Sequence, residues 1–391
     1  MNITEFDKKI LFELDKDGRV SFSEIARVIG STPQVVKYHV EQLQEKGIIK
    51  HFWAFIDYDK ADYSFFWGYW LKFAGLSKEK ETQMYADFNS NMYIPIIQRT
   101  DGYADVMIGI IARDIFHHNE ILQDVFSKYG QQIVSNDIFV GLGFVKFPRT
   151  YLLGKENEFQ KFAVSGGTTE KIKLSETDRK ILSLLQIDGR MEFTQIAKIL
   201  GCSIGLVQKH YVKLEKSGVI TKITFTIDYQ KAGMLLYRNC FKIVQFDGKR
   251  INDLYRYCCL HPNIINYVKG MGSWELLLDI EVESREQQRD IVREMRNLFK
   301  DIIRQVEVNE VYQMDKFTQM AIEYPNLIEE YKGKKGKKGN KEGNGNKGKD
   351  RIEKESGEKG QDEIEIKNKN IRSKELSENG AQKATEEDIY Y

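Results

Sequence analysis

The sequence has few residues of the kinds that build disulfide scaffolds and metal centres. Its 391 residues include six His, five Pro and four Cys, namely Cys202, Cys240, Cys258 and Cys259. None of these cysteines forms a C-x-x-C pair, so reduced thiols are favoured over a metal site or a disulfide framework. His117-His118 is more typical of a polar helix start than of a ligand pair. We therefore expect no metal and no cofactor.

Long hydrophobic runs are also lacking. The most apolar stretch, residues 65–74, is interrupted by Lys72 and is too short to span a bilayer. The first residues are polar and contain no apolar segment of the kind found in signal peptides. We expect a cytoplasmic protein without membrane contact.

An excess of charge of one sign is lacking as well. The chain has 59 Lys and Arg against 58 Asp and Glu, a formal net charge of +1. Such a balance neither supports nor excludes nucleic acid as a partner, because a basic surface can be local.

The strongest feature present is an internal repeat with an offset of 171 residues. Asp7-Lys8-Lys9-Ile10-Leu11 returns as Asp178-Arg179-Lys180-Ile181-Leu182, and Asp17-Gly18-Arg19 returns as Asp188-Gly189-Arg190. The ungapped match covers some 55 residues, which indicates duplication of one module.

The first part of each repeat predicts three helices and a wing. Thr4 and Ser175 each precede an acidic residue by three positions, as in a variant capping box, and apolar residues at helical spacing follow. Gly30 and Gly201 separate a short second helix from a third helix capped by Thr32 or Ser203. This order is typical of a helix-turn-helix, and the alternating residues 222–227 predict a strand behind it.

The second part of each repeat predicts the order strand, helix, strand, strand, helix, strand. In the first copy we place strands at 65–73, 94–99, 104–112 and 133–147, and helices at 78–91 and 115–129. In the second copy we place strands at 238–246, 264–269, 274–282 and 302–312, and helices at 250–260 and 285–299. This order indicates a ferredoxin-like arrangement.

The predicted fold class is α+β, with two winged helix-turn-helix domains, each followed by a ferredoxin-like βαββαβ domain that senses ligands. The predicted boundaries are 1–60, 61–162, 173–231 and 232–331, with a flexible linker at 163–172. Residues 332–349 contain eight Lys and six Gly, and 350–391 are of mixed charge. We expect residues 332–391 to be disordered because they offer little apolar surface to bury.

The helix-turn-helix pattern and the α/β domain behind it resemble the Lrp/AsnC, or feast/famine, family over nearly all of residues 3–325. The resemblance implies a DNA-binding transcriptional regulator that forms oligomers and binds amino acids or related small molecules. This chain looks like two such modules fused, so we expect an intramolecular pseudodimer or a homo-oligomer. Two departures stand out. His39 and His210 replace a common Arg, and the turns between the middle strands keep only a glycine and an acid.

Double-stranded DNA is the partner that the motif predicts, and the third helix is the element expected to contact it. Polar and basic side chains on its outer face reach base edges and phosphates in a major groove, although an ordinary solvated face is the alternative. The candidate DNA-binding residues are Thr32, Gln34, Lys37, Tyr38, His39, Ser203, Gln208, Lys209, His210 and Lys213. Because the two helices differ, we expect an asymmetric operator if they pair within one chain.

The turns between the middle strands are the candidate effector sites. The residues concerned are Gly102, Tyr103 and Asp105 in the first copy, and Gly272, Ser273 and Glu275 in the second. A carboxylate at such a turn could meet the amino group of an effector. The alternative is a tight turn that needs a glycine at positive φ beside a solvated acid.

Two other functions remain open. Siroheme decarboxylases share this architecture, but the segments 96–102 and 265–270 lack the histidine of their His-Asn-Tyr stretch. No nucleophile-base pair or phosphate loop is evident, so we predict that the chain is not an enzyme and has no catalytic residues. The second alternative is a sensor or assembly protein that uses only its α/β domains.

Overall fold

The structure is a computed structural model, and it describes residues 3–61, 63, 65–154, 163–244, 248–321, 323–329 and 331. The helices are α1 Glu5–Lys16, α2 Phe22–Ile29, α3 Pro33–Glu45, α4 Lys78–Ser90, α5 Ile115–Tyr129, α6 Glu176–Ile187, α7 Phe193–Leu200, α8 Ile204–Lys216, α9 Tyr229–Ala232, α10 Gly248–Leu260 and α11 Arg285–Leu298. The strands are β1 Ile49–Ile56, β2 Phe65–Phe73, β3 Ile96–Gly102, β4 Val106–Ala112, β5 Ile133–Lys146, β6 Ala163–Gly166, β7 Ile220–Ile227, β8 Leu235–Ile243, β9 Ile264–Gly272, β10 Leu276–Val282 and β11 Ile303–Phe317.

Each repeat begins with the three helices expected of it. Thr4 accepts a hydrogen bond from Asp7 N and Ser175 accepts one from Asp178 N, so both predicted capping boxes are formed. The apolar stripe of α1, Ile10, Leu11 and Leu14, is completely buried, as is that of α6. These buried stripes hold the first helix of each module against the second and third.

The α/β part of each module confirms the predicted fold class. Its four strands lie in the order β5-β2-β4-β3 in the first copy and β11-β8-β10-β9 in the second. The bounds of β2 and α5 agree with the sequence prediction, whereas β9 and β11 extend three and five residues beyond it.

The two sheets are joined into one, which the sequence did not indicate. β3 pairs with β11 and β5 pairs with β9, so the strands run in a closed ring β2-β4-β3-β11-β8-β10-β9-β5. Each pairing covers an edge strand of one module with an edge strand of the other. Two sheets with open edges thereby become a single sheet whose edges are satisfied.

The strand that follows each helix-turn-helix also pairs across the repeat. β1 and β7 form a two-stranded antiparallel sheet in which Phe52 lies opposite Phe225. Phe225, Ile227 and Met234 complete the core of the first helix-turn-helix, while Ala54, Ile56 and Tyr58 pack with the second. The cores are therefore exchanged between the modules, and the two halves fold as one body.

The expected linker is only partly irregular. Ala163–Gly166 form strand β6, which pairs with the end of β5. Ile172 N donates to Lys60 O at 3.0 Å. The backbone of this segment finds partners in the first module, which is why it does not behave as a free Gly-rich tether. The predicted disordered tail, 332–391, lies outside the described residues.

In the part of the chain that the structure describes, no helix is both long enough and apolar enough to cross a membrane. The four cysteines are unpaired, and Cys240, Cys258 and Cys259 are buried. Their burial agrees with the interpretation of these thiols as core residues.

Candidate nucleic-acid interface

The third helices α3 and α8 are held by the same caps and the same buried faces. Thr32 accepts from Val35 N at 3.4 Å, with Pro33 in the first turn, and Ser203 accepts from Leu206 N at 3.2 Å. The inner faces consist of Val36, Val40 and Leu43 in α3, and of Val207, Tyr211 and Leu214 in α8. Each helix therefore presents its opposite face to solvent.

The outer face of α3 carries polar and aromatic side chains. Thr32, Gln34 and Lys37 are exposed, and Tyr38 is 59% exposed. Lys37 lies 3.7 Å from Glu41 in an open ion pair. Such a pair is weak in water, so the ammonium group is available to a phosphate.

The outer face of α8 differs in chemistry. Ser203, Gln208 and Lys209 are exposed, but so are Ile204 and Val212. Exposed aliphatic groups on a third helix suit contact with thymine methyl groups, whereas Gln and Lys suit base edges and phosphates. The two helices thus offer different side chains to a groove.

His39 and His210 are held from inside their modules. Nδ1 of His39 lies 2.8 Å from Asp7 Oδ1, and Nδ1 of His210 lies 2.7 Å from Asp178 Oδ1. Asp178 also accepts from Lys213 Nζ at 2.7 Å. His39, His210 and Lys213 were predicted as DNA contacts. The structure gives each of them a partner in the first helix, which orients the third helix.

The repeated Asp-Gly-Arg motif joins the two helix-turn-helix domains. Arg19 donates to Gly189 O and Met191 O, both at 2.8 Å. Arg190 donates to Gly18 O at 2.8 Å and to Val20 O at 3.2 Å. We call this reciprocal pair of contacts the arginine clasp. The sequence showed the motif twice, but nothing in it indicated that each arginine binds the other copy.

The glycines of the same motif allow the close approach. Gly18 N donates to Ile223 O and Gly189 N donates to Phe52 O, both at 2.8 Å. A Cβ added at Gly18 would lie 2.9 Å from the backbone of Ile223, and one at Gly189 would lie 2.8 Å from Trp53 N. No side chain fits at Gly18 or Gly189, so the loops of both domains pack directly against the backbone of the β1/β7 sheet.

A buried charge cluster lies beneath the first domain. Arg149 donates to Asp15 Oδ1 at 2.6 Å through Nη1, and to Glu281 through Nε and Nη2 at 2.8 and 3.0 Å. Tyr151 and Tyr229 donate their hydroxyls to Glu281. Burial alone would raise the pKa of Asp15, but the charges of Lys222, Arg149 and Lys146 hold it well below its usual range.

The corresponding place under the second domain is neutral. Arg149 N donates to Asp15, and Gln319 N donates in the same way to Gln186 Oε1 at 2.8 Å. Ile111 stands on β4 where β10 has Glu281, by the register of the strands. Asp15 and Arg149 therefore have Gln186 and Gln319 as their counterparts, so the two repeats differ in the interior as well as on their third helices.

One cleft lies between the β1/β7 sheet and the closed ring of strands, and a second is lined mainly by strands of the ring itself. One has an empty volume of about 400 Å³ and the other about 520 Å³, part of each being open to solvent. The first contains Lys146, Arg149, Asn266 and Asp279 among aromatic side chains, while the second is mainly apolar around Arg238. Burial and the charge of Arg149 lower the pKa of Lys146 to about 7.

The acidic residues of the expected effector turns are occupied by the backbone. Asp105 accepts from Phe73 N at 2.7 Å, and Glu275 accepts from Ile243 N at 2.8 Å and from Lys242 at 3.0 Å. Both carboxylates thus cap the end of a neighbouring strand. The effector assignment stays a prediction, and the sites lie away from the two clefts.

The remaining turn residues serve the contact between modules. Gly102 and Gly272 have φ angles of 136° and 121°, and a Cβ on either would collide with the strand of the other module. Tyr103 hydrogen-bonds Asp137 and packs against Trp274 with ring centroids 5.5 Å apart. Ser273 N donates to Ile138 O at 2.8 Å.

Comparison with known proteins finds the same domain in both repeats. A family model described as winged helix-turn-helix DNA-binding matches residues 3–50 and again residues 174–221. The chain thus carries two winged helix-turn-helix domains, one in each repeat.

Curated relatives of this tandem protein are regulators of single-module length. An uncharacterized HTH-type transcriptional regulator of Pyrococcus furiosus is 29% identical over 122 residues, which is 31% of this chain and 81% of that protein. The HTH-type transcriptional regulator FL11 of Pyrococcus horikoshii is 26% identical over 117 residues, 30% of this chain and 76% of that protein. Each relative therefore aligns with about one repeat.

A solved structure matches the tandem protein over both repeats. The siroheme decarboxylase NirDL superposes with a TM-score of 0.51 at 15% identity, covering 84% of this chain and 100% of that chain. At this identity the match shows a shared fold. The fold thus occurs in an enzyme, whereas the relatives by sequence are regulators, so the function has to be argued from side chains.

Proposed function

We propose that this protein is a sequence-specific transcriptional regulator that places two non-identical third helices, α3 and α8, on one DNA site. The observation that carries the proposal is the combination of two exposed and chemically different helix faces with one shared framework. The arginine clasp and the β1/β7 sheet tie both helix-turn-helix domains to each other. Two different recognition helices held in a fixed arrangement favour an asymmetric operator.

The charge distribution supports contact with a polyanion at these helices. Lys37 and Lys209 are exposed on the outer faces, while the buried carboxylates Asp15 and Glu281 are paired inside. The net charge of +1 is therefore compatible with exposed, available lysines on these helices, because acids near the domain interface are buried or paired.

A binding selection on random duplex DNA with the full chain, at physiological salt, tests the proposal. We expect an enriched motif whose two halves differ. Lys37→Ala and Gln208→Ala should each weaken binding to the selected site several-fold, because each removes one groove or phosphate contact. Lys80→Ala is the matched control, since Lys80 is an exposed lysine on α4. Failure to enrich any motif, or recovery of strictly palindromic sites, would contradict the proposal.

We propose that the chain is not a decarboxylase despite its fold. No histidine is present among the described residues that line the two clefts, and the guanidinium groups of Arg149 and Arg238 are already paired with carboxylates. A large multiply anionic tetrapyrrole would find few free cations there. Incubation with an iron-uroporphyrin and gel filtration tests this, because co-elution of a porphyrin absorption band with the protein would reopen the enzyme interpretation.

A further inference from the structure

The cleft of about 400 Å³ lies between the β1/β7 sheet and the closed ring of strands. β1 and β7, which follow α3 and α8 directly, form one wall, and β5, β8, β9, β10 and β11 contribute the other. Residues from both repeats line it, so the cleft exists only because the two modules are paired. Its position distinguishes it from the turns at Gly102 and Gly272.

One side of the cleft carries an incompletely paired cation. The side chain of Lys146 is 5% exposed, and among the described residues its Nζ has only Asp15 Oδ1 as a charged partner, at 4.0 Å. Asp15 itself already accepts two hydrogen bonds from Arg149, from its backbone N and from Nη1. A buried ammonium group at this distance from its carboxylate keeps donors free for a further acceptor.

Beside this cation lies an acceptor without a donor. Asn266 is 7% exposed, and it faces Lys146 directly in the pairing of β5 with β9. Its Nδ2 donates to Asp279 Oδ2 at 2.7 Å, which fixes the orientation of the amide. Its Oδ1 has no hydrogen-bond partner in the described part of the chain. A buried orphan acceptor is costly, so it marks a place for a donor from outside.

The remaining walls are aromatic. Phe55 and Phe144 have ring centroids 5.1 Å apart, and Trp53 and Phe317 are also 5.1 Å apart. These rings contact one another, and an aromatic wall favours a flat occupant that can stack on it or meet it edge to face. About 400 Å³ of empty space, part of it open to solvent, adjoins these rings.

We propose that this cleft binds a flat aromatic carboxylate that carries an N–H donor next to its carboxyl group. The carboxylate pairs with Lys146, the N–H donates to Asn266 Oδ1, and the ring packs against Trp53 and the phenylalanines. Indole-2-carboxylate has this arrangement of groups and is the probe. The adjacency of Lys146 and Asn266 across one strand pair selects a donor and an anion on the same edge of the ring.

Isothermal titration calorimetry of the full chain with indole-2-carboxylate at pH 6 tests the site directly. We expect saturable one-to-one binding, and about tenfold or greater loss of affinity for 1-methylindole-2-carboxylate, which lacks the donor, and for indole, which lacks the anion. Comparison of these ligands uses unaltered protein, so the result does not depend on any variant folding.

A pair of lysine variants locates the site. Lys146→Met should weaken binding about tenfold or more, because it removes the only incompletely paired cation that we identify in the cleft. Lys316→Met is the matched control. It replaces a lysine near the end of β11, the counterpart of β5, whose Nζ donates to Asn89 O and Asn91 O outside the cleft. Equal binding by wild type and Lys146→Met, equal binding of all three ligands, or no heat at millimolar probe would overturn the proposal.

The effect of the ligand on DNA rests on the proposed function. Because the cleft is bounded by β1 and β7, an occupant is expected to change the affinity for the selected operator. If calorimetry shows binding but no DNA motif is ever enriched, the ligand site stands and the regulator proposal fails. If a motif is enriched but calorimetry shows no binding, the reverse holds.

Discussion

Arg19 and Arg190 each bind the loop that contains the other: Nη1 of Arg19 donates to Gly189 O, and Nη1 of Arg190 donates to Gly18 O, each at 2.8 Å. Each guanidinium also lies over a ring of the other module, Arg19 over Phe193 at 4.8 Å and Arg190 over Phe22 at 4.8 Å. Burial and the nearby charge of Arg19 lower the pKa of Arg190. The two domains are therefore positioned relative to each other by the motif that marks the repeat.

The first prediction concerns this clasp. Arg19→Met should lower the free energy of unfolding by about 1–3 kcal/mol, because two buried carbonyls lose their donors and a cation–aromatic contact is removed. Urea denaturation followed by circular dichroism measures the change. Arg289→Met, on the exposed face of α11, is the control and should shift stability by less than about 0.5 kcal/mol. Equal stability of both variants would show that the arginine clasp contributes nothing measurable to the free energy of unfolding.

Much of the local structure followed from the sequence because its causes are local. The caps Thr4, Ser175, Thr32 and Ser203 begin their helices where expected, since each cap depends on a backbone N–H within three residues. The pairing of β3 with β11 involves residues some two hundred positions apart, and no local signal carries it.

The candidate site was predicted in part for the same reason. The outer faces of α3 and α8 follow from helical periodicity. The partners of His39 and His210 lie on another helix, 32 residues away, and only the fold brings them together. Asp15 and Gln186 occupy equivalent positions, yet neither residue type alone indicates which of them binds a buried arginine.

The second prediction uses that divergence. Arg149→Gln should destabilise the protein by about 3–5 kcal/mol, because the buried carboxylates of Asp15 and Glu281 both lose the guanidinium group that pairs with them. The triple variant Asp15→Gln, Arg149→Gln and Glu281→Ile copies the neutral set Gln186, Gln319 and Ile111. We expect it to be more stable than Arg149→Gln alone, since two buried carboxylates are removed and Lys146, whose pKa is already lowered to about 7, can lose its proton.

Urea denaturation of the three proteins at pH 7 checks this order. Gln319→Met serves as the single-site control on the neutral side, and it should cost less than Arg149→Gln. A triple variant no more stable than Arg149→Gln would mean that Tyr151 and Tyr229, which donate to Glu281, require an acceptor more than the cluster requires neutrality.

The third prediction is a pH dependence at the second helix-turn-helix. Burial raises the pKa of Asp178, but hydrogen bonds from Lys213, His210 and Ser175 outweigh it and lower the pKa to about 2. A carboxyl group whose pKa is lower in the folded state stabilises the fold above the unfolded pKa of about 3.9. That stabilisation is lost as the pH falls from about 4 to 2.

An NMR titration of the Asp178 carboxyl group measures the shift. Lys213→Met should raise this pKa toward its ordinary value, because the first of the lowering hydrogen bonds is removed. Lys216→Met, on the exposed side of the same last turn, should leave it unchanged. A pKa near 4 in the wild type would show that the contacts with His210 and Lys213 are not maintained in solution.

The fourth prediction concerns a variant in which the outer face of α3 is given the residues of the outer face of α8. Gln34→Gly, Lys37→Gln and Tyr38→Lys convert the outer face of α3 to the residues found at Gly205, Gln208 and Lys209. All six positions are exposed, so the exchange should leave the thermal midpoint within a few degrees of wild type. If each helix reads its own half-site, the variant should select a site with two similar halves in place of the asymmetric one.

The matched control alters the same number of exposed positions away from α3 and α8. Lys80→Gln, Glu283→Gln and Arg289→Lys change exposed side chains of the α/β part and should return the wild-type motif. A symmetrised motif in the α3 variant, with the control unchanged, would assign one half-site to each helix. Change in both halves of the motif would mean that α3 and α8 do not read independently, because the arginine clasp would then be transmitting a change at one helix to the other.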